Sequence, residues 1–168
     1  GAAADAVGFG DVARQAAGDA PVMLIIGEPD VKTDPAILDA MHAAAKAGHT
    51  GYAAIPGIPE LRQSVAGRVS ARTGVPTAPE NVMVTPGGQP ALFATHALAL
   101  DPGQTGLYID PFYATYPGTI RSAGGVPVPV QARADRAFQP DAADIAKAAP
   151  GARSLLINTP NNPTGAVY

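Results

Sequence analysis

The chain has 168 residues, a formal net charge of −3 and 15% charged residues, a balance that offers no basic stripe to nucleic acid or to an acidic membrane surface. It has no cysteine, which excludes a disulfide framework and thiolate chemistry and fits a reducing compartment. The length suffices for one hydrophobic core of ordinary size.

Residues 4–18 read as a short amphipathic helix, followed by a break at Asp19-Ala20-Pro21. The segment lacks a basic n-region, its first cation being Arg14, which speaks against a signal peptide. The apolar run Val22 to Ile26 is far too short to span a bilayer and reads as a short extended segment closed by Gly27-Glu28-Pro29-Asp30. A soluble, cytoplasmic chain is expected. Asp34 as N-cap and Pro35 at the first helical position open a helix to about Ala47. Gly48 to Ile58 is a Gly/Pro-rich loop holding Tyr52, and Pro59-Glu60 opens a further helix to about Thr73, with Gly74 beyond its end.

From there strand and helix alternate. The predicted order is a strand at Val82-Met83-Val84, a helix at about Ala91–Leu100, a strand at Gly106–Ile109 and a helix with an irregular start from Pro111 to about Ala123. A strand at Val126–Val130, a helix at Asp141–Ala149 and a strand at Ser154–Asn158 complete it. Strands separated by helices of this length imply βαβ crossovers, hence an α/β fold with a mainly parallel sheet flanked by helices. Ligand groups in such sheets gather outside the carboxyl ends of the strands, so the loops after Val84, Ile109 and Ile157 matter most.

The first of these loops, "VTPGGQPAL" (84–92), has two adjacent glycines entering a helix. Their backbone can approach a ligand closely, and the helix amides and dipole favour an anion such as phosphate; a plain turn is the other reading. The second, "IDPFYATYPG" (109–118), sets Phe112, Tyr113 and Tyr116 beyond a strand end, where an aromatic can stack on a planar ring or cap the sheet. Tyr52 offers a phenol in its loop, either to a phosphate or to the interior. Other arrangements fail. "GFGDVA" (8–13) matches a dinucleotide fingerprint but follows no strand, and there is no P-loop or G-x-S-x-G elbow. His42, His49 and His96 lack metal-ligand spacing, and His96 reads as a packed histidine on an apolar helix.

Together, "GEPD" (27–30), "GYAAIPGIPELR" (51–62), "ENVMVTPGGQPAL" (80–92), "DPFYATY" (110–116), "AGGVPV" (123–128) and "NTPNNPTGAVY" (158–168) resemble the class I/II aminotransferases, pyridoxal-phosphate enzymes of fold type I, most closely the bacterial aspartate-aminotransferase-like branch. The resemblance runs from about Pro21 to Tyr168. It implies an N-terminal segment of a smaller α+β domain over residues 1–49 and the first, incomplete part of the large cofactor-binding domain over 50–168. It implies pyridoxal 5'-phosphate as cofactor, held by Gly87, Gly88 and Gln89 at the phosphate, by Tyr113 stacking on the pyridine ring and by Asn162 at the ring oxygen. Gly27 and Asn162 lie by the substrate carboxylate, and Tyr52 reaches the cofactor phosphate of a neighbouring subunit. It further implies cis bonds before Pro111 and Pro163 and a homodimer with a shared active site. The reaction implied moves an amino group from an amino acid to a 2-keto acid through an aldimine.

The family's Schiff-base lysine, the aspartate at the pyridine nitrogen and the anion-binding arginines all follow the NNPTG motif. No catalytic residue is therefore assigned in this chain, which is expected to be inactive alone. Lys32, Lys46 and Lys147 are expected at the solvated surface. A non-catalytic, ligand-sensing domain of the same fold and a phosphate-binding α/β module unrelated to pyridoxal phosphate are the alternative readings.

Overall fold

The computed structural model describes Gly27 and residues 29–168. The helix expected at 4–18, the extended segment at 22–26 and the "GFGDVA" stretch lie outside the described residues. Those residues fall into two compact units, one ending at Pro86 and the other running from Gly87 to Tyr168.

In the first unit, α1 (Pro35–Lys46) starts where the sequence places it: the Asp34 carboxylate accepts the Ala36 N–H at 2.8 Å, and Pro35 fills a position whose N–H a helix does not use. The helix buries none of its residues, and Ile37, Leu38 and Met41 are exposed. The second helix, α2 (Pro59–Thr73), closes at Gly74 and buries Ala66. Val82-Met83-Val84, expected as a strand, is extended but enters no ladder. Its groups are satisfied one at a time: Val82 N–H donates to Pro79 O at 3.1 Å, Arg62 Nε donates to Val82 O at 2.9 Å, and Val84 N–H donates to Pro56 O at 2.9 Å. The expected strand is therefore not formed: Val82 has extended φ −115 and ψ 125, and no strand lies beside the segment among this unit's described residues.

The second unit is a three-stranded parallel sheet with helices on both faces. Its elements are α3 (Gly88–Ala99), β1 (Thr105–Asp110), α4 (Tyr116–Ser122), β2 (Val126–Gln131), α5 (Ala142–Ala148) and β3 (Ala152–Leu156), with strand order β2-β1-β3. Two elements depart from expectation. α3 starts three residues earlier, because Gly88-Gln89-Pro90 already form the first turn, where a proline's missing N–H goes unnoticed. β3 ends at Leu156, two residues before the expected Asn158, because Ile157 and Asn158 leave the ladder for the following loop.

Alternation along β1 divides the core. Tyr108 joins Leu100, Tyr116, Ile120 and Leu156 on the face covered by α3 and α4. Leu107 and Ile109 join Val130 and Ala132 on the opposite face, where Ile145 and Ala148 of α5 pack. Ile120 is fully buried, and α4 reaches the sheet closely beside Gly125: a Cβ there would stand 2.7 Å from Leu100 Cδ1 and 3.2 Å from Gln104 O. α5 is held at its start by Asp141, whose carboxylate accepts the Ala143 N–H at 2.8 Å and also pairs with Arg136; the amide first, and then the guanidinium, hold its pKa below the usual carboxylate value.

β2 carries Pro127 and Pro129, opposite Gly106 and Tyr108. Val126 N–H donates inward to Gln104 O and Ala132 N–H to Asp110 O, so the intervening prolines sit where a backbone N–H would point away from β1. They are compatible with this strand because it lies at the sheet's edge. The chain runs from β1 to one side for β2 and then crosses to the other side for β3. β1 is therefore the point at which the strand order reverses, and the crevice between the loops after β1 and β3 is where such sheets bind ligands.

Candidate cofactor site

Three segments meet at the carboxyl end of β1: the start of α3, the loop 111–115 and the loop 157–165. Gln89 Nε2 donates to Thr115 Oγ1 at 2.6 Å, joining the first segment to the second. Asn161 Nδ2 donates to Pro111 O at 3.1 Å and to Thr164 Oγ1 at 2.8 Å, joining the second to the third. Peptide bonds Asp110–Pro111, Thr159–Pro160 and Asn162–Pro163 are cis, two of them at the prolines the sequence singled out.

The start of α3 suits an anion. Gly87 has φ 100, a conformation natural to glycine, and the helix opens with no side-chain cap. A Cβ at Gly87 or Gly88 would meet nothing within 4 Å, so open space lies over the first turn, at the positive end of a 12-residue helix. Gln89, expected at a phosphate, spends one side-chain N–H on Thr115.

Tyr113 is half-buried. Its ring lies edge-on to Tyr116, with centroids 5.8 Å apart and planes at 67°, while Phe112 packs edge-on to Tyr108 at 4.8 Å. Tyr116 is buried, and that burial pushes its phenol pKa up, helped by Tyr113 and Tyr168, so it stays neutral and acts as a wall of the core. Asn162 is exposed, beside the buried Asn161. Gly27 and Tyr52 belong to the first unit; a Cβ on Gly27 would meet nothing within 4 Å, and Tyr52 is fully exposed.

Sequence reasoning overlooked Asn161 and Thr115, whose side chains tie the loops together. The Asn161-x-x-Thr164 spacing was the available signal, since Asn and Thr at turn positions bond to nearby backbone and hydroxyl groups. His96, by contrast, is the packed histidine expected: 3% exposed, with Nδ1 3.5 Å from Ser154 Oγ, Nε2 unpartnered and its pKa lowered by burial. No cluster of metal-binding side chains occurs among the described residues, and no described helix is long and apolar enough to cross a membrane.

A parallel three-stranded sheet flanked by helices, with a glycine-opened helix and two loops tied together at its switch point, is part of an aspartate-aminotransferase-like fold. The chain belongs to the family described as aminotransferase class I and II, whose profile it matches over residues 21–168. It is 41% identical over 148 residues to the probable aspartate/prephenate aminotransferase of Thermus aquaticus, covering 88% of this chain and 39% of that protein. With the arginine–pyruvate transaminase of Pseudomonas aeruginosa it shares 35% identity over 167 residues, 99% of this chain and 42% of that one. The solved aspartate aminotransferase from Thermus thermophilus with maleate superposes with a TM-score of 0.83 at 40% identity, covering 86% of this chain and 38% of that chain. The chain thus spans about two fifths of the relatives it matches.

The family is pyridoxal-phosphate-dependent. The residues present fit that group: a helix start without a side-chain cap and with open space over two glycines for a phosphate, a half-buried aromatic, and an exposed amide on the neighbouring loop.

Proposed function

We propose that this chain forms the cofactor-holding part of a pyridoxal-phosphate-dependent aminotransferase, which moves an amino group from an amino acid to a 2-keto acid. The observation that carries the reading is the meeting of three family motifs at the switch point of the second unit, joined by the Gln89–Thr115 and Asn161–Pro111 hydrogen bonds. The cofactor, when bound, supplies an electron sink for breaking bonds at the amino acid's α-carbon.

In this reading the first turn of α3, with Gly87, Gly88 and Gln89, takes the phosphate. Tyr113 presents an aromatic face to the pyridine ring. Asn162 donates its side-chain amide to the ring oxygen, favouring that oxygen's charged form, and helps to hold the substrate carboxylate. The second unit has a single lysine, Lys147, exposed on α5 across the sheet from Tyr113. Amino transfer at this site therefore needs an amine from outside the unit, and this unit by itself would hold cofactor without turning over. The names of the relatives, aspartate/prephenate aminotransferase and arginine–pyruvate transaminase, support an amino-acid donor and leave its side chain open.

Equilibrium dialysis of the chain against pyridoxal 5'-phosphate and against pyridoxal tests the proposal. Saturable binding of the phosphorylated form, with the unphosphorylated one at least about tenfold weaker for want of the charge-assisted contacts, is expected. Equal binding of the two, or none of either, would overturn the assignment of the α3 start.

A further inference from the structure

We infer that Asn161, the neighbour of the residue expected to touch the cofactor, is a positioning residue that fixes the distance between the Tyr113 loop and the Asn162 loop. The inference rests on the cofactor-holding reading for its purpose, but its geometry stands independently. Asn161 is 4% exposed, on a loop whose neighbour Asn162 faces solvent. Four of its hydrogen bonds point in three directions. Its backbone N–H donates to Ala166 O at 2.8 Å, and its carbonyl accepts the Gly165 N–H at 2.7 Å, which closes its own loop. Its side-chain amide donates to Thr164 Oγ1 within that loop and to Pro111 O across the crevice, 50 residues away in sequence.

The acceptor is what makes the bond specific. Proline has no N–H, so the carbonyl is the sole hydrogen-bonding backbone group Pro111 presents, and it lies two residues before Tyr113. Both N–H groups of one primary amide are used, one in each loop, so the side chain sets the loops' separation as a rigid planar spacer. On the far side of the 111–115 loop, Gln89 holds Thr115 in the same way. The Tyr113 segment is thereby pinned at both ends, to the phosphate-binding turn by Gln89 and to the Asn162 loop by Asn161. A group bound among them meets a preformed crevice and pays less ordering entropy on binding.

Asn161→Asp, which keeps the shape and removes both donors, is the direct test. Amide hydrogen exchange is followed on the ligand-free chain at three places: Gly165 in Asn161's own loop, Tyr116, whose N–H closes the neighbouring turn onto Tyr113 O at 3.0 Å, and Leu107 in β1. Loss of the bridge should speed exchange at both Gly165 and Tyr116 by about tenfold and leave Leu107 unchanged. A change confined to Gly165 would show a role in one loop only and overturn the inference, as would an equal change at all three. Should the Asp variant unfold, Asn161→Ser serves, since its shorter hydroxyl cannot reach both acceptors and the same three amides decide.

Dialysis against pyridoxal 5'-phosphate is run in parallel. If the unmodified chain binds it, the Asp variant should bind about tenfold more weakly. If the unmodified chain does not, the cofactor reading fails while the exchange pattern still decides the bridge.

Discussion

His96 illustrates what burial does to a titratable side chain. It is 3% exposed on α3 with Nε2 unpartnered, and burial lowers its pKa from the ordinary 6.5. Above pH 6.5 the ring is neutral in both folded and unfolded chains and stability does not depend on it. As the pH falls below 6.5 the unfolded chain gains a proton that the folded one resists, so stability drops until the folded-state pKa is passed. Urea unfolding across this range should show that decline, and His96→Leu should flatten it. Gly125 is decided by space. An added methyl would press on Leu100 and on the Gln104 carbonyl, so Gly125→Ala should cost about 1–3 kcal/mol in the same assay.

At the level of elements, α4 is the link between packing and site. Its seven residues bury Tyr116, Pro117 and Ile120, and the segment before it carries Tyr113. Ile120→Ala removes the fully buried side chain at the centre of the α3–α4 face and should cost about 2–5 kcal/mol, read from the urea midpoint. The βαβα order was legible because periodicity and punctuation agree: Asp34-Pro35, Asp141 and Gly74 mark helix ends where the structure has them. The ends that slipped have physical causes. Leu155-Leu156-Ile157 reads as one apolar run, yet the ladder with β1 begins at Ala152, and Ile157 already belongs to the loop. Val82–Val84 has strand-like residues and no strand beside it among its unit's described residues. That the double glycine opens a helix and that the Asn162 segment is a loop after a strand was legible from motif order, whereas the Asn161 bridge was not, because a short-range pattern does not disclose a partner 50 residues away.

For the whole molecule, the family resemblance implies a homodimer with shared sites, and Tyr52 is the residue at which that expectation is most open to test. Its side chain is fully exposed, as a phenol reserved for a neighbouring subunit's phosphate would be before assembly. Tyr52→Phe should then weaken pyridoxal phosphate binding only at concentrations where sedimentation shows dimers. An equal loss in the monomer range would contradict a role across subunits.

The two prolines of β2 have a consequence for how the sheet can grow. One margin is sealed, since Pro127 and Pro129 deny an incoming chain the donors it would need, while β3 pairs with β1 alone among the described residues. Any strand recruited to this sheet must therefore add beyond β3.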